Sequence, residues 1–197
     1  MTEEKRKPGY QHWCTPEWIL ERVREVYRGD IDLDPFSNPY STTNAKREWW
    51  EPGYDWGAFD VLSAMAETDI GRVEVLDGFS THWRGHVFFN PPFSRTRDAI
   101  TWAHYLWEQG NIDAAIGIFP CSMNSKHWWM VEAAPAYGYF TRRVAFVDDG
   151  EVVEGPRHDI AIAYWGREPT RFVKAFQDKV RFPPGCAALA SLVERER

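Results

Sequence analysis

The stretch Val87-Phe88-Phe89-Asn90-Pro91-Pro92-Phe93 decides the architecture of this chain. Three consecutive apolar residues, two of them aromatic, fit a strand buried on both faces. The strand has to stop at Asn90, because Pro91 lacks a backbone donor and pushes its predecessor out of helical conformation, and Pro92 repeats both effects.

Working outward, residues 98–109 carry Ile100, Ala103, Leu106 and Trp107 on one side and predict a helix, ended by Gly110. Residues 114–119 form a continuous apolar run of the doubly buried type. A helix is predicted over 126–134, then strands over 138–147 and 159–165 joined by the polar loop 148–158, and a short amphipathic helix over 170–180.

Upstream, residues 73–76 predict a strand that ends at Asp77-Gly78, and Ile31-Asp32-Leu33-Asp34 another that runs into a turn-rich loop over 35–39. A strand ending in a carboxylate and a tight loop is where α/β sheets bind ligands. Residues 44–75 lose periodicity around Trp49-Trp50, Pro52-Gly53 and Trp56-Gly57 and are expected to be an insertion outside the central sheet. Thr15-Pro16-Glu17-Trp18 opens a helix, with Thr15 as cap, that runs to Tyr27 and stops at Gly29. Residues 1–12, with Lys5-Arg6-Lys7, are expected to form a flexible arm. The reading is a single α/β domain over 1–197, doubly wound with a mostly parallel sheet and an antiparallel hairpin at its C-terminal end.

Composition bounds the function. With 44% hydrophobic and 26% charged residues among 197, the chain is globular rather than disordered. Its eleven Trp are expected to pack cores and element contacts. A net charge of −6 argues against a wrapping, non-specific nucleic-acid binder but leaves room for a local basic rim. Cys14, Cys121 and Cys186 are odd in number and widely spaced, which fits reduced thiols. His12 near Cys14, and His127, lack partners at ligand spacing, so no metal site is expected. The polar start and the absence of a long apolar run lead to the expectation of a soluble, cytoplasmic protein without a membrane partner.

The Asn90-Pro91-Pro92-Phe93 turn suits one kind of chemistry. The amine of an aromatic base is a weak nucleophile because its lone pair is delocalised into the ring. The Asn90 amide oxygen and the Pro91 carbonyl would offer two neutral acceptors to its two N–H bonds. The prolines hold these acceptors in place before the reaction, and Phe93 offers a flat face to an extruded base.

The order Trp13-x-Thr15-Pro16, Asp32-Leu33-Asp34-Pro35, Trp83, Asn90-Pro91-Pro92-Phe93 and Phe119-Pro120 resembles the phage-type DNA N-6-adenine methyltransferase (Dam) family over roughly residues 10–165. The resemblance implies a Rossmann-like methyltransferase that uses S-adenosylmethionine, flips an adenine out of double-stranded DNA and methylates its N6 amine. It implies catalytic roles for Asn90, Pro91, Pro92 and Phe93. It places Thr15 and Pro16 beside the methionine end of the cofactor, Asp34, Pro35 and Phe36 at its ammonium group, and Asp77 and Phe79 beside its adenine. Asn38 stands where such enzymes carry a glycine, and Asn tolerates left-handed backbone. For the ribose hydroxyls only Glu74 and Asp60 offer themselves.

Arg95 and Arg97 after the turn, and Ser122, Asn124, Ser125 and Lys126 after the next strand, are expected to meet DNA phosphates, since both segments should open on the same sheet edge as Asn90. Arg142-Arg143 and Arg157-His158 are weaker candidates. Three alternatives remain. The same site serves another amine, such as DNA cytosine N4, RNA adenine or protein glutamine; or the chain is an inactive DNA-binding or adaptor module; or Asp32, Asp34 and Asp77 form a hydrolase site, Asp32 and Asp34 sharing a strand face.

Overall fold

The computed structural model describes residues 13–52, 72–148, 151–153 and 158–193. The expected buried strands are present as β4 (His86–Phe89) and β5 (Ala114–Pro120), parallel neighbours in register from His86 opposite Ala114 to Phe89 opposite Gly117. β5 is sandwiched between two cores. Ala114, Ile116 and Ile118 face one, while Ala115 and Phe119 face the other, the period-two alternation of a strand covered on both sides.

Helix α1 (Glu17–Tyr27) packs Ile19, Leu20, Val23 and Val26 into the first core. It ends on Arg28, which takes the left-handed conformation (φ 56°) while its N–H and that of Gly29 bond back to Glu25 and Arg24. The stop sits one residue before the expected Gly29 because this closure turns on the left-handed residue itself. Helix α2 (Thr96–Glu108) buries Ala99, Ile100, Ala103 and Leu106 in the second core. Strand β1 (Leu33–Ser37), β2 (Arg47–Trp50) and β3 (Val73–Val75) complete the amino-terminal half. The remainder comprises helix α3 (Trp129–Glu132), strands β6 (Ala136–Phe140), β7 (Val147–Asp148), β8 (Glu151–Val152) and β9 (Ile160–Gly166), helix α4 (Pro169–Phe176), β10 (Val180–Arg181) and helix α5 (Pro184–Val193).

The main sheet has the order β10-β6-β9-β5-β4-β1-β2-β3. β1 through β5 are mutually parallel, whereas β9 runs antiparallel between β5 and β6, and β10 runs antiparallel to β6. Helices cover both faces: α1 and α4 share the first core, α2 and α3 the second. The doubly wound, mostly parallel sheet with antiparallel strands toward the C-terminus is therefore as expected. Strand order reverses between β1 and β4, and at such a switch point the loops after the two strands diverge and leave a crevice for a ligand.

Several expectations are corrected. The first strand is displaced to Leu33–Ser37 and includes Pro35; its pairing with β2 shifts between Asp34 and Ser37, an irregularity where a missing N–H is tolerated. Residues 44–75 are not wholly an insertion, because β2 and β3 at their two ends are strands of the main sheet; residues 53–71 lie outside the described residues. The helix over 126–134 shrinks to Trp129–Glu132, preceded by turns. The strand over 138–147 is Ala136–Phe140, and the chain then leaves the sheet. Thr15 does not cap α1: Pro16 precedes the helix, and no side chain caps it. The arm over 1–12 lies outside the described residues. Among the described residues no helix is long and apolar enough to cross a membrane, and no three His, Cys, Asp or Glu side chains cluster at metal-binding distance.

Candidate active site

The crevice at the switch point is a cleft of about 420 Å³, open mouth included, lined among others by Trp13, Thr15, Asp34, Phe36, Thr43, Asn90, Pro91, Pro92 and Phe93. Asn90 follows β4 directly, Asp34 lies on β1, and Leu33 pairs with Val87 across the two strands. The switch point thus brings together residues far apart in the chain.

The orientation of Asn90 is determined by its partners. Its Nδ2 donates to the carbonyl oxygen of Trp13 at 3.2 Å and to Thr15 Oγ1 at 3.3 Å. A backbone carbonyl only accepts, so the NH₂ end must face Trp13 and the amide cannot be reversed. The Oδ1 oxygen accepts no hydrogen bond from any described residue and is left for the cleft. The Pro92 carbonyl is taken by the Arg95 N–H at 2.8 Å, which tightens the turn, while the Pro91 carbonyl bonds to no described residue. Phe93 meets Trp13 edge-on at 6.3 Å, and Trp13 stacks on Phe146 at 5.5 Å. The strand before Asn90, the two prolines after it and this aromatic wall together fix the turn.

Asp34 forms another part of the wall. It is 4% exposed, accepts the Phe36 N–H at 3.1 Å and the Thr43 hydroxyl at 2.8 Å, and stands in register with Glu48 on β2. Thr43 spends its one proton on Asp34, so Ser41, 2.8 Å away, donates to Thr43. Burial, and next the neighbouring Glu48 carboxylate, push Asp34 up to about 7, against the lowering effect of its two hydrogen bonds. Glu48 is itself buried, held by Ser37, the Ala45 N–H and Arg72.

Asn38 adopts no left-handed backbone, correcting the expectation for this position; among the described non-glycine residues only Arg28 and Asn44 have positive φ. Its Oδ1 instead accepts the Tyr40 N–H at 2.8 Å, closing the loop with a side-chain turn.

No protein-family model matches the chain, and no curated protein does. Several solved structures match the chain, among them two described as methyltransferases. One, from Pyrococcus horikoshii and described as a candidate RNA methyltransferase, shares 14% identity over 85% of this chain and 92% of its own, with a TM-score of 0.50. The other, a dimethyladenosine transferase from Plasmodium falciparum, shares 12% identity over 83% of this chain, which spans 66% of its length, with a TM-score of 0.43. The chain shares the doubly wound α/β fold of the Pyrococcus structure.

The remaining expected residues fall around the same edge. Asp77 and Phe79 sit on the loop after β3, whose Gly78 carbonyl accepts the Trp83 indole N–H at 2.7 Å. Phe79 meets Phe36 edge-on at 5.2 Å, joining this loop to the end of β1. Arg95 is held by carboxylates: Nη1 lies 2.6 Å from Glu51, Nη2 grips both oxygens of Asp77 at 3.0 and 2.9 Å, and the guanidinium lies 4.5 Å from the Phe79 ring centre. Arg97 is exposed and pairs with Asp98 at 2.7 Å. Ser122, Asn124 and Ser125 line an open cavity with His158 after β5, and Lys126 is exposed beside it.

Glu51, which the sequence reading did not single out, follows the last residue of β2. That is where an α/β nucleotide site carries the carboxylate for ribose hydroxyls. Of the two residues offered for that role, Glu74 is exposed on β3 away from the cleft, and Asp60 lies outside the described residues. The three aspartates of the hydrolase alternative are not assembled: Asp32 accepts Lys46 and the His86 N–H, Asp34 faces the cleft, and Asp77 holds Arg95.

Proposed function

We propose that the chain is an S-adenosylmethionine-dependent methyltransferase acting on the N6 amine of adenine in double-stranded DNA. The observation that carries this is the Asn90 carbonyl, left toward the cleft by the anchoring of its amide nitrogen on Trp13 and Thr15, with buried Asp34 on the same cleft. The donor set fits the cofactor. Asp34 suits an ammonium group, Glu51 suits vicinal hydroxyls, and Phe36 and Phe79 suit an aromatic ring beside Asp77. When bound, S-adenosylmethionine supplies a methyl group on a positively charged sulfur.

The chain's own residues do the rest. Base extrusion costs a few kcal/mol, and stacking on Phe93 offsets part of it. Asn90 Oδ1 and the Pro91 carbonyl accept the two amine N–H bonds and draw the lone pair out of conjugation. As positive charge develops on that nitrogen, both oxygens are already aimed at it. The alkylated amine is strongly acidic, so its proton leaves from the hydrogen bond to Asn90 to water, without a dedicated base.

The test is incubation with labelled methyl donor and separate DNA and RNA pools, followed by nucleoside analysis. N6-methyladenine from DNA is the expected product, lost in Asn90→Ala while calorimetric cofactor binding persists. Full activity of Asn90→Ala would overturn the reading. RNA is the second substrate reading, in line with the description of the Pyrococcus structure as an RNA methyltransferase; methylated nucleoside from the RNA pool alone would establish it.

A further inference from the structure

A second depression lies on the carboxyl edge of the sheet, of about 1020 Å³ with its open mouth included. Its walls are Trp18 and Arg22 of α1, Phe140 at the end of β6 with Arg142 and Arg143 after it, and Lys179 before β10. The one carboxylate in it, Asp178, is gripped by both guanidinium nitrogens of Arg22 at 2.6 and 3.0 Å and lies 3.5 Å from Lys179. Four cations against one anion give the groove a charge of +3 in a chain of −6. Arg142 and Arg143 are exposed and form no ion pair with a described residue.

The groove is built rather than incidental. The Thr141 N–H and hydroxyl both donate to the Lys179 carbonyl, at 2.9 and 3.1 Å, which locks the two basic segments together. Trp18 meets Phe140 edge-on at 5.8 Å, and the Arg22 guanidinium lies 5.8 Å from the Trp18 ring centre.

Its walls also lie a few residues along the chain from the candidate active-site cleft. Trp18 is three residues beyond Thr15, and Phe146, three residues beyond Arg143, lines the cleft. Backbone bonds between Cys14 and Val147, at 2.8 and 3.1 Å, tie these two connecting segments side by side. Three residues span at most about 10 Å, roughly three nucleotide rises along one strand.

We propose that this groove binds the sugar–phosphate backbone of the DNA strand flanking the extruded adenine, with Arg142 and Arg143 on phosphates and the partly exposed Trp18 against the sugars. This rests on the nucleic-acid methyltransferase reading. It explains how an acidic chain holds a polyanion: the basic surface is concentrated within a few nucleotides of the reacting base.

The experiment is fluorescence anisotropy of a labelled duplex with the full chain between 50 and 200 mM salt, with cofactor affinity measured in parallel. The double variant R142A/R143A is expected to lower the slope of log affinity against log salt by about 1.8, the value for two lost phosphate contacts, with cofactor affinity unchanged. R142K/R143K is expected to keep the slope. An unchanged slope in R142A/R143A overturns the groove alone. A wild-type chain that binds S-adenosylmethionine but no duplex also overturns it, leaving methyl transfer to another acceptor standing. Loss of slope in a chain that binds no cofactor supports the groove and overturns the enzyme instead. Polyglutamate displacing the duplex at equal charge concentration would replace DNA with an acidic protein partner and overturn the proposal.

Discussion

The Asn90 amide nitrogen lies 3.2 Å from the carbonyl oxygen of Trp13, and this contact joins the amino-terminal segment to the turn after β4. Thr15 Oγ1 is the second acceptor for the same nitrogen. Trp13 and Thr15 thereby determine which end of the Asn90 side chain faces the cleft.

Thr15→Val keeps the shape and removes one acceptor. Losing one neutral hydrogen bond of this kind is worth about 1 kcal/mol, so kcat is expected to fall about fivefold with the cofactor Kd little changed. Asn90→Ala removes an oxygen that meets developing charge and is expected to cost roughly 10² to 10³ in kcat. Single-turnover rates at saturating cofactor measure both; equal losses in the two variants would contradict the positioning role of Thr15.

The pH dependence follows from Asp34. Its carboxyl, raised to about 7 by burial and next by Glu48, is largely protonated at pH 5.5 in the folded protein. In the unfolded chain it would titrate near the ordinary value for Asp, so between roughly 4 and 7 the folded state holds the extra proton. This group's contribution to stability therefore declines as pH rises through that window. Binding of a cation needs the ionised form and runs the other way. Cofactor affinity is expected to weaken roughly twentyfold between pH 7.5 and pH 5.5, with proton release visible as a buffer-dependent calorimetric enthalpy near pH 6. Asp34→Asn should bind weakly at every pH without that slope; a wild-type affinity flat across the range would exclude Asp34 as the cation's partner.

What the sequence made legible was whatever its hydrophobic pattern stated locally. β4, β5 and α2 carry unbroken apolar runs or a clear helical stripe, and the Asn-Pro-Pro turn is visible because proline forbids the alternatives. β2 was hidden because Glu48 sits buried within it, balanced by Arg72 at 2.6 Å and by Ser37; a charged residue at an interior position breaks the alternation that marks a strand. With β2 unread, Glu51 had no strand end to give it meaning. The engagement of Arg95 was equally illegible, since an arginine after a catalytic turn looks the same whether phosphates or two distant carboxylates hold it. The basic groove joins α1, the end of β6 and the start of β10, which only the β10–β6 pairing and the contacts of α1 with Phe140 and Asp178 bring together.

Gly78 offers a test of how the loop after β3 packs on β1. A Cβ there would lie 2.5 Å from the Pro35 carbonyl oxygen and 2.6 Å from the Phe36 ring. The ring can rotate away, but the backbone oxygen cannot move without shifting the strand that carries Asp34. Gly78→Ala is expected to cost about 1–3 kcal/mol in denaturant unfolding, as overpacking does, and to weaken cofactor binding. A variant with unchanged midpoint and unchanged cofactor Kd would mean that β1 and the loop after β3 move independently.

Arg95 separates the sequence reading from the structural one. In the first it contacts a phosphate, and its removal should reduce the salt slope of DNA binding by about one. In the structure its guanidinium is held by Glu51 and Asp77 and lies against Phe79, with three hydrogen bonds already made. Arg95→Ala leaves two carboxylates facing each other across the loops after β2 and β3. The expected result is a weaker cofactor Kd, from displaced Glu51 and Phe79, with the salt slope of duplex binding unaltered. Arg95→Lys keeps the charge but not the two-oxygen grip on Asp77 and should fall between wild type and Arg95→Ala. A salt slope lowered by one, with cofactor affinity intact, would return Arg95 to the phosphate backbone.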